Sequence, residues 1–327
     1  MMNNPMTRRS ALLLLLFVLA ACSQETTDTR IPTIGFVQLI EDATVDQARL
    51  GFNDALREAG YDEARKTVKI IYRNAQGDNS ALNQILDYFV AEKVDCIGAN
   101  TTLATITASN KTKTIPIFMM VAPSPEIAKL TKPGPDGAPI PPANLFGTYE
   151  TLAYIDTSVA LIRTLIPTAR RVGTIYNSAE PNATNAMERL RAVTKDLGLE
   201  LVEIPVTSSN ETQQGAEALL AKGIDVFFAL PDNVIFSSFE IVERTMSSRK
   251  IPILTSEAGL VQRGALAAFG ADFRAWGHQA GTAAAEYLRS GRTSPAMLQP
   301  VKLRKRTYNP KVASALGITP PPGFEAL

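Results

Sequence analysis

Histidine, cysteine and tryptophan are scarce in this chain of 327 residues, which contains one, two and one of them, respectively. Because His278 is the only histidine, a histidine-based metal site would need carboxylates for all its other ligands. The sequence also lacks a G-x-S-x-G elbow, a Walker A loop and a G-x-G-x-x-G fingerprint. We therefore expect no metal, no cofactor and no enzymatic activity, with a hydrolase of dispersed catalytic residues as the remaining alternative. His278 falls in a helical stretch, 273–288, and is predicted to lie on the helix surface.

An excess of charge of either sign is also missing, since the formal net charge is +1. A nucleic-acid-binding protein would show a clustered basic face, so we expect no nucleic acid partner. The one basic cluster, 302–306, alternates along a predicted strand and is interpreted as a solvated strand face. Cys96 lies in a short apolar run and is predicted to be a small buried hydrophobic residue.

The only long apolar run is at the N-terminus, where Arg8 and Arg9 precede 11–21 and then Cys22. This pattern is typical of a secretory signal, and the run is shorter than the roughly 20 residues that span a bilayer. The sequence Leu19-Ala20-Ala21-Cys22 resembles the lipobox of bacterial lipoproteins, which implies acylation of Cys22, for example with palmitate. We predict a signal peptide at 1–21 and a polar tether at 22–30. By the same resemblance, Ser23 favours the outer membrane, facing the periplasm, with the cell surface as the alternative.

The rest of the chain alternates short apolar or β-branched runs with longer amphipathic stretches, which is typical of parallel sheets with crossover helices. Predicted strands are 33–39, 68–72, 94–99, 115–121, 172–176, 201–206, 226–230 and 251–255. Predicted helices are 47–59, 80–93, 184–197 and 213–222. A Pro- and Gly-rich segment, 132–142, is expected to be a surface loop.

This order of elements occurs twice. Ile34 and Val172, which begin the two series, are 138 residues apart, as are Gly60 and Gly198, which end the first helix of each. Such a long period indicates duplicated domains, although chance repetition of a common strand–helix pattern is the alternative. We predict an α/β protein of two doubly wound parallel-sheet lobes joined by a hinge. The first lobe is expected at 31–147, completed by about 273–293, and the second at 148–272, completed by about 294–327.

Several motifs carry a resemblance to a known family. They are Asn74-Ala75-Gln76-Gly77-Asp78, Tyr176-Asn177-Ser178-Ala179-Glu180-Pro181-Asn182, Pro231-Asp232-Asn233 and Arg263-Gly264-Ala265-Leu266-Ala267. In order and spacing they resemble solute-binding proteins of ABC importers related to the tryptophan-binding proteins, over about 31–318. The resemblance implies the two-lobed type I periplasmic-binding fold, a small-molecule ligand, an ABC permease partner and a monomer.

Ligands of open α/β sheets bind outside the carboxyl ends of the strands, so residues that end or follow the strands are the candidate site. Hydroxyls and free N–H groups at a helix start suit a carboxylate, which fits Thr101 and Thr102, although simple N-capping is the alternative. Glu180 and Asp232 could hold an ammonium, with turn chemistry as the alternative for Asp232 and Asn233. The predicted ligand-binding set is Gln38, Asn100, Thr101, Thr102, Asn177, Glu180, Asp232, Asn233 and Glu257. Aromatic residues that could form an apolar wall, or else pack in the core, are Phe36, Tyr149, Tyr176 and Phe236.

The first lobe departs from the family pattern in three places. Relatives usually have His-Pro after the first strand, a glutamine after the third and Asp-Pro after the fourth. This chain has Glu41-Asp42-Ala43, Thr101-Thr102-Leu103-Ala104-Thr105 and Ser124-Pro125 there. We therefore expect a small polar or zwitterionic ligand, an aromatic or other amino acid, without assigning tryptophan itself. A ligand-sensing lipoprotein of the same fold is the alternative that the sequence leaves open.

Overall fold

The computed structural model describes residues 30–290 and 298–327, in which two parallel β-sheets form the centres of two lobes. The first sheet has six parallel strands in the order β13-β7-β4-β3-β1-β2. These strands are β1 Thr33–Gln38, β2 Lys69–Asn74, β3 Cys96–Asn100, β4 Ile117–Met120, β7 Leu145–Tyr149 and β13 Leu298–Pro300. The second sheet has seven strands in the order β15-β14-β12-β11-β10-β8-β9. They are β8 Arg171–Asn177, β9 Glu200–Val206, β10 Val226–Ala229, β11 Ile253–Thr255, β12 Ala267–Ala271, β14 Arg304–Tyr308 and β15 Glu325–Ala326.

The two sheets share one topology. In each lobe the first strand of the series lies between the second and third, and the fourth and fifth follow outward, as β2-β1-β3-β4-β7 and β9-β8-β10-β11-β12. Among the described strands of these two sheets, β12 and β14 are the one antiparallel pair. The predicted two-lobed, doubly wound α/β fold is therefore confirmed, and the shared strand order accounts for the 138-residue offset.

Helices cover both faces of the sheets. They are α1 Ala43–Glu58, α2 Asn79–Ala91, α3 Thr102–Lys111, α4 Tyr154–Leu165, α5 Pro181–Asp196, α6 Thr212–Ala221, α7 Asn233–Ser237, α8 Phe239–Ser247, α9 Ala258–Gln262, α10 Phe273–Arg289 and α11 Pro310–Leu316. None of these helices is long and apolar enough to cross a membrane. Helix α1 begins four residues before the predicted start because the Asp42 carboxylate accepts hydrogen bonds from the N–H groups of Thr44 and Val45.

Central strands are buried on both faces, as parallel strands between helices must be. All five residues of β3 are buried, including Cys96, so the prediction of a buried cysteine is confirmed. The helices pack closely on these strands, since a Cβ added at Gly35 would lie 2.6 Å from the Phe89 ring. Phe36 packs edge-on against Phe52 in this core, with ring centroids 5.3 Å apart, and so does not form a ligand wall.

The long helix α10 follows the second sheet but packs on the first lobe, against α1, β7 and β4. The approach is close because small residues meet there. A Cβ at Gly277 would lie 1.8 Å from the Ala48 carbonyl oxygen, and one at Gly51 would lie 1.9 Å from the Arg274 carbonyl oxygen. His278 lies on the exposed side of this helix, where Nε2 is 2.8 Å from the Glu58 carboxylate.

The chain crosses between the lobes three times, after β7, after β12 and after β13. The last crossing differs from the predicted boundary, which assigned 294–327 to the second lobe. Strand β13 pairs in parallel with β7 of the first sheet, so the return to the second lobe comes after Pro300.

The basic cluster at 302–306 is more than a solvated strand face, because two of its residues form ion pairs at the crossings. Both Nε and Nη2 of Arg304 donate to the buried carboxylate of Glu150, at 3.0 and 2.7 Å. Lys305 Nζ lies 3.6 Å from Asp272 Oδ2. The alternation of the sequence therefore predicted the strand, but it could not show that Glu150 and Asp272 pair with Arg304 and Lys305.

The Pro-rich segment forms a small exposed hairpin, β5 Lys132–Pro133 with β6 Pro139–Ile140, in agreement with the predicted surface loop. The signal peptide, Cys22, Ser23 and nearly all of the tether lie outside the described residues.

Candidate functional site

A cavity lies between the lobes, at the carboxyl ends of the strands. Its empty volume, including the opening to solvent, is about 390 Å³. The first lobe contributes Thr101, Thr102, Val121, Ala122, Pro123 and Glu150, and helix α10 contributes Phe273 and Trp276. The second lobe contributes Leu152, Tyr154, Asn182, Pro231, Asn233, Phe236 and Glu257. Four residues of the predicted ligand-binding set are among them, namely Thr101, Thr102, Asn233 and Glu257.

Three aromatic side chains form an apolar wall of this cavity. Phe273 makes edge-to-face contacts with Phe236 and Trp276, at centroid distances of 6.1 and 5.7 Å. The indole N–H of Trp276 donates to the Thr148 carbonyl oxygen at 3.0 Å, which fixes the ring. Such a wall suits a flat apolar or aromatic group. Of the aromatic residues predicted as a wall, Phe236 is the one that lines the cavity, while Tyr176 lies beneath the Arg191 guanidinium.

The first-lobe side of the cavity has a strained residue at the start of α3. Thr101 has φ 94° and ψ 165°, a conformation that is essentially restricted to glycine. Its side chain is 1% exposed, caps no helical N–H group and has no hydrogen-bond partner for Oγ1 among the described residues. The alternative interpretation of Thr101 as a simple N-cap is therefore wrong. An unpartnered hydroxyl beside the first N–H groups of a ten-residue helix can bind a carboxylate.

The second-lobe side is built around Glu180. Its Oε2 accepts from Asn233 Nδ2 at 2.8 Å, from Asn233 N at 3.3 Å and from Asn182 Nδ2 at 3.2 Å. Its Oε1 accepts from Asn177 Nδ2 at 3.3 Å. Burial raises the pKa of Glu180, and these hydrogen bonds oppose that effect. Asn177 and Glu180 lie in the outer part of the interlobe cleft, beside Leu39 and Gln76, and not in the inner cavity.

Asp232 is fully buried and does not line either space. Its Oδ1 accepts from the N–H groups of Val234 and Ile235, and so caps α7, while Oδ2 accepts from Asn177 N at 2.5 Å. Burial, helped by repulsion from Glu180, raises the pKa of Asp232 to about 7. Asp232 thus serves the start of α7, one step behind the cavity wall, a local backbone role related to the turn chemistry that was its alternative interpretation.

Gln38 and Asn100 also lie behind the site. Asn100 Nδ2 donates to Gln38 Oε1 at 3.0 Å and to the Val45 carbonyl oxygen at 3.1 Å, and Gln38 Nε2 donates to Ile40 O at 2.7 Å. Both side chains are fully buried and connect the ends of β1 and β3 to α1. They are not among the residues that line the cavity.

Glu257 follows β11 and faces the cavity from its hinge side. Its Oε1 accepts from the hydroxyls of Tyr154 and Ser256, each at 3.0 Å, while Oε2 is buried without a partner among the described residues. Burial raises the pKa of Glu257 to about 8. Burial also raises the pKa of Tyr154, and the Glu257 charge adds to that shift. Once ionised, Glu257 can accept a hydrogen bond from a ligand donor through Oε2 at this end of the cavity.

The sequence prediction missed five cavity residues that have polar or aromatic side chains, namely Glu150, Tyr154, Asn182, Phe273 and Trp276. Asn182 is part of the family motif at 176–182, and its position in that motif was the signal that could have identified it as a site residue. Phe273 and Trp276 lie on a helix that returns from the second lobe, and nothing in their local pattern indicates this. Within residues 30–290 and 298–327, no group of three or more His, Cys, Asp or Glu side chains could hold a metal ion.

Residues 33–323 match the family described as ABC transporter substrate binding protein. The chain is 37% identical to a tyrosine-binding protein of Clostridioides difficile (strain R20291) over 266 residues, which cover 81% of this chain and 75% of that protein. Its structure is similar to that of an ABC domain in complex with L-Trp from Streptococcus pneumonia, with a TM-score of 0.80, 26% identity and coverage of 91% and 100% of the two chains. It is also similar to a ligand-free, open substrate-binding protein with adhesive properties from Clostridium difficile, with a TM-score of 0.65, 30% identity and coverage of 91% and 99%. The chain therefore belongs to the family of ABC transporter substrate-binding proteins, which in general bind a solute and do not convert it.

Proposed function

We propose that this protein captures a free amino acid with an aromatic side chain in the interlobe cavity and delivers it to an ABC permease for import. The observation that carries the proposal is the set of buried polar atoms without partners that line one aromatic-walled cavity: Thr101 Oγ1, Asn182 Oδ1 and Glu257 Oε2. Leaving a buried polar atom unpaired costs about 1–3 kcal/mol, so such atoms are explained by a bound molecule that satisfies them.

An amino acid offers the complementary groups. Its carboxylate suits Thr101, Thr102 and the start of α3, because a helix N-terminus favours negative charge. Its ammonium has three donors for acceptors such as Asn182 Oδ1. A ring would lie against Phe236, Phe273 and Trp276, and a hydroxyl or N–H on that ring could donate to Glu257 Oε2. The relatives that are described as binding tyrosine and L-Trp agree with this ligand class.

The arrangement of the lobes supports capture by closure. The structure is closer in shape to the L-Trp complex than to the ligand-free, open protein, although the chain is slightly more identical to the latter. Closure buries the ligand between the lobes and presents one shape to a permease.

The proposal includes export and lipid anchoring through Cys22, on the basis of the leader sequence. Changing Cys22 to Ser should leave the protein soluble or with an uncleaved leader, as judged by membrane fractionation and intact mass. Continued attachment of a cleaved Cys22→Ser chain to the membrane would contradict the anchor.

Ligand capture is tested by thermal unfolding and calorimetry of the purified protein with the twenty amino acids. We expect L-tyrosine, L-tryptophan or both to raise the unfolding temperature, because binding to the folded state alone stabilises it. Glycine and L-aspartate are matched controls that keep the zwitterion but lack the ring. If no amino acid binds, the proposed ligand class is rejected.

A further inference from the structure

Three carboxylates surround the second-lobe side of the cavity without a cation. Glu180, Asp232 and Glu257 are 6%, 0% and 1% exposed. None of them takes part in an ion pair within the described parts of the chain. Burial disfavours their ionised forms, which a positive charge supplied by a ligand would stabilise.

Glu180 immediately precedes a helix, but its side chain does not cap that helix. It is the residue before α5, yet its side chain accepts nothing from the first N–H groups of that helix. Asp232, at the same position before α7, accepts from two of them. The Glu180 carboxylate is instead bonded to the side chains of three asparagines, Asn177, Asn182 and Asn233.

Among these asparagines, Asn182 is held in one orientation. Its Nδ2 donates to Glu180 Oε2 at 3.2 Å and to the Pro231 carbonyl oxygen at 2.9 Å. Since carboxylate and carbonyl oxygens only accept hydrogen bonds, the amide cannot be reversed without placing oxygen against oxygen. Asn182 Oδ1 is therefore the end that is left over, and it is buried and unpartnered in a residue that lines the cavity.

We propose that Glu180 is a positioning residue that makes this end of the cavity selective for a ligand ammonium, by orienting Asn182 Oδ1 toward the ligand and by supplying the countercharge behind it. The inference rests on the proposed function and adds the residue that sets the preference for the ammonium from behind the cavity wall. Glu180 does not touch the ligand in this arrangement and acts through the amide of Asn182. A ligand that lacks the ammonium gains nothing from either the oriented oxygen or the charge.

The test compares two ligand pairs in the wild-type protein and in Glu180→Gln, by calorimetry at one pH and ionic strength. The pairs are L-tyrosine with 3-(4-hydroxyphenyl)propanoate and L-tryptophan with indole-3-propanoate, which differ only in the ammonium. We expect the preference for the amino acid over its deaminated analogue to fall about tenfold in Glu180→Gln, because the ammonium loses the countercharge behind Asn182. The control Glu203→Gln removes a carboxylate of the same lobe that pairs with Arg191, and it should leave the preference unchanged.

A purely structural role for Glu180 predicts a different result. It would weaken both members of each pair equally, and an unchanged preference in Glu180→Gln would overturn the inference while leaving amino acid binding intact. If the wild-type protein binds neither amino acid, the proposed function fails and the inference fails with it.

The route through Asn182 is tested by a double-mutant cycle. Asn182→Leu should lower the same preference, and Glu180→Gln should add little in that background, because the two residues act as one unit. A second full tenfold loss in the double variant would contradict the route. If Glu180→Gln does not fold, the preference measured for Asn182→Leu alone decides the matter, and an unchanged value overturns the inference.

Discussion

The guanidinium of Arg263, in the second lobe, contacts the carboxylate of Asp42, in the first, with Nη1 2.6 Å from Oδ2. Arg263 also donates to Glu240 and to the Phe236 carbonyl oxygen, so it is held from the second-lobe side. Asp42 belongs to Glu41-Asp42-Ala43, where the sequence departs from the family pattern that it resembles, so this contact between lobes depends on that segment.

Asp42→Asn should lower ligand affinity severalfold with little change in stability. Asparagine still caps α1, so the first lobe keeps its fold, but the ion pair between the lobes is lost. Burial raises the pKa of Asp42 despite the attraction of Arg263, so the pair contributes little net stability and acts on the lobe arrangement. Calorimetry and urea unfolding check this, and an unchanged affinity would contradict it. Asp54→Asn, at an ion pair with Arg274 that spans α1 and α10, is the control.

Thr101→Gly should weaken ligand binding without lowering the stability of the protein. Glycine tolerates the observed φ of 94°, so relief of about 1–3 kcal/mol of strain offsets the added flexibility of the unfolded chain. We expect the free energy of unfolding to stay the same or rise by up to about 1 kcal/mol, while affinity falls about tenfold through loss of the hydroxyl. Urea unfolding and calorimetry measure the two quantities. Thr105→Gly, in the middle of α3, should instead lower stability, and equal losses in both variants would refute the strain argument.

Glu257 should make the ligand-free protein less stable as the pH rises. Its pKa is raised to about 8 in the folded state, above the ordinary value, so the folded state holds its proton longer than the unfolded chain does. The stability linked to this proton is therefore fully present below about pH 4 and is lost as the pH rises through about 8. Glu257→Gln should unfold at a higher urea concentration than the wild type at pH 8.5 and show a flatter profile from pH 5 to 8.5. Identical pH profiles would show that Glu257 does not titrate there.

Ligand binding at pH 7 should release protons. Asp232, with a pKa raised to about 7, and Glu257, at about 8, are partly or mostly protonated before binding. A ligand ammonium beside Asn182 favours the ionised form of Asp232, and a ring donor to Oε2 favours that of Glu257, so both pKa values fall. Calorimetry with L-tyrosine in phosphate and in Tris should give binding enthalpies that differ in the sense of proton release. Equal enthalpies in the two buffers would argue against an ammonium near these carboxylates.

The local sequence pattern predicted the two lobes and about half of the polar and aromatic residues that line the cavity. Alternation of strands and helices, with strand ends as the binding edge, was sufficient for Thr101, Thr102, Asn233 and Glu257. Each of these lies within four residues after the end of a strand, so its position depends on local sequence and sheet topology.

The remaining features depend on contacts between distant residues. Trp276 reaches the cavity because α10 packs on α1, and Arg263 meets a partner 221 positions away. The division of roles at Glu180, Asn182 and Asp232 was also out of reach, because all three follow strands. Only the hydrogen bonds separate the residue that faces the ligand from those that orient it.

The three crossings are joined to one another by neighbouring residues. Arg304 binds Glu150 at the first crossing, Lys305 lies against Asp272 at the second, and Val301 N donates to Tyr149 O at 2.8 Å between the third and the first. These contacts oppose sliding of the strands at the crossings, so we expect the lobes to move relative to each other mainly by hinge rotation. Under the proposed function, such a rotation would give the occupied protein a single lobe arrangement, whichever solute it holds.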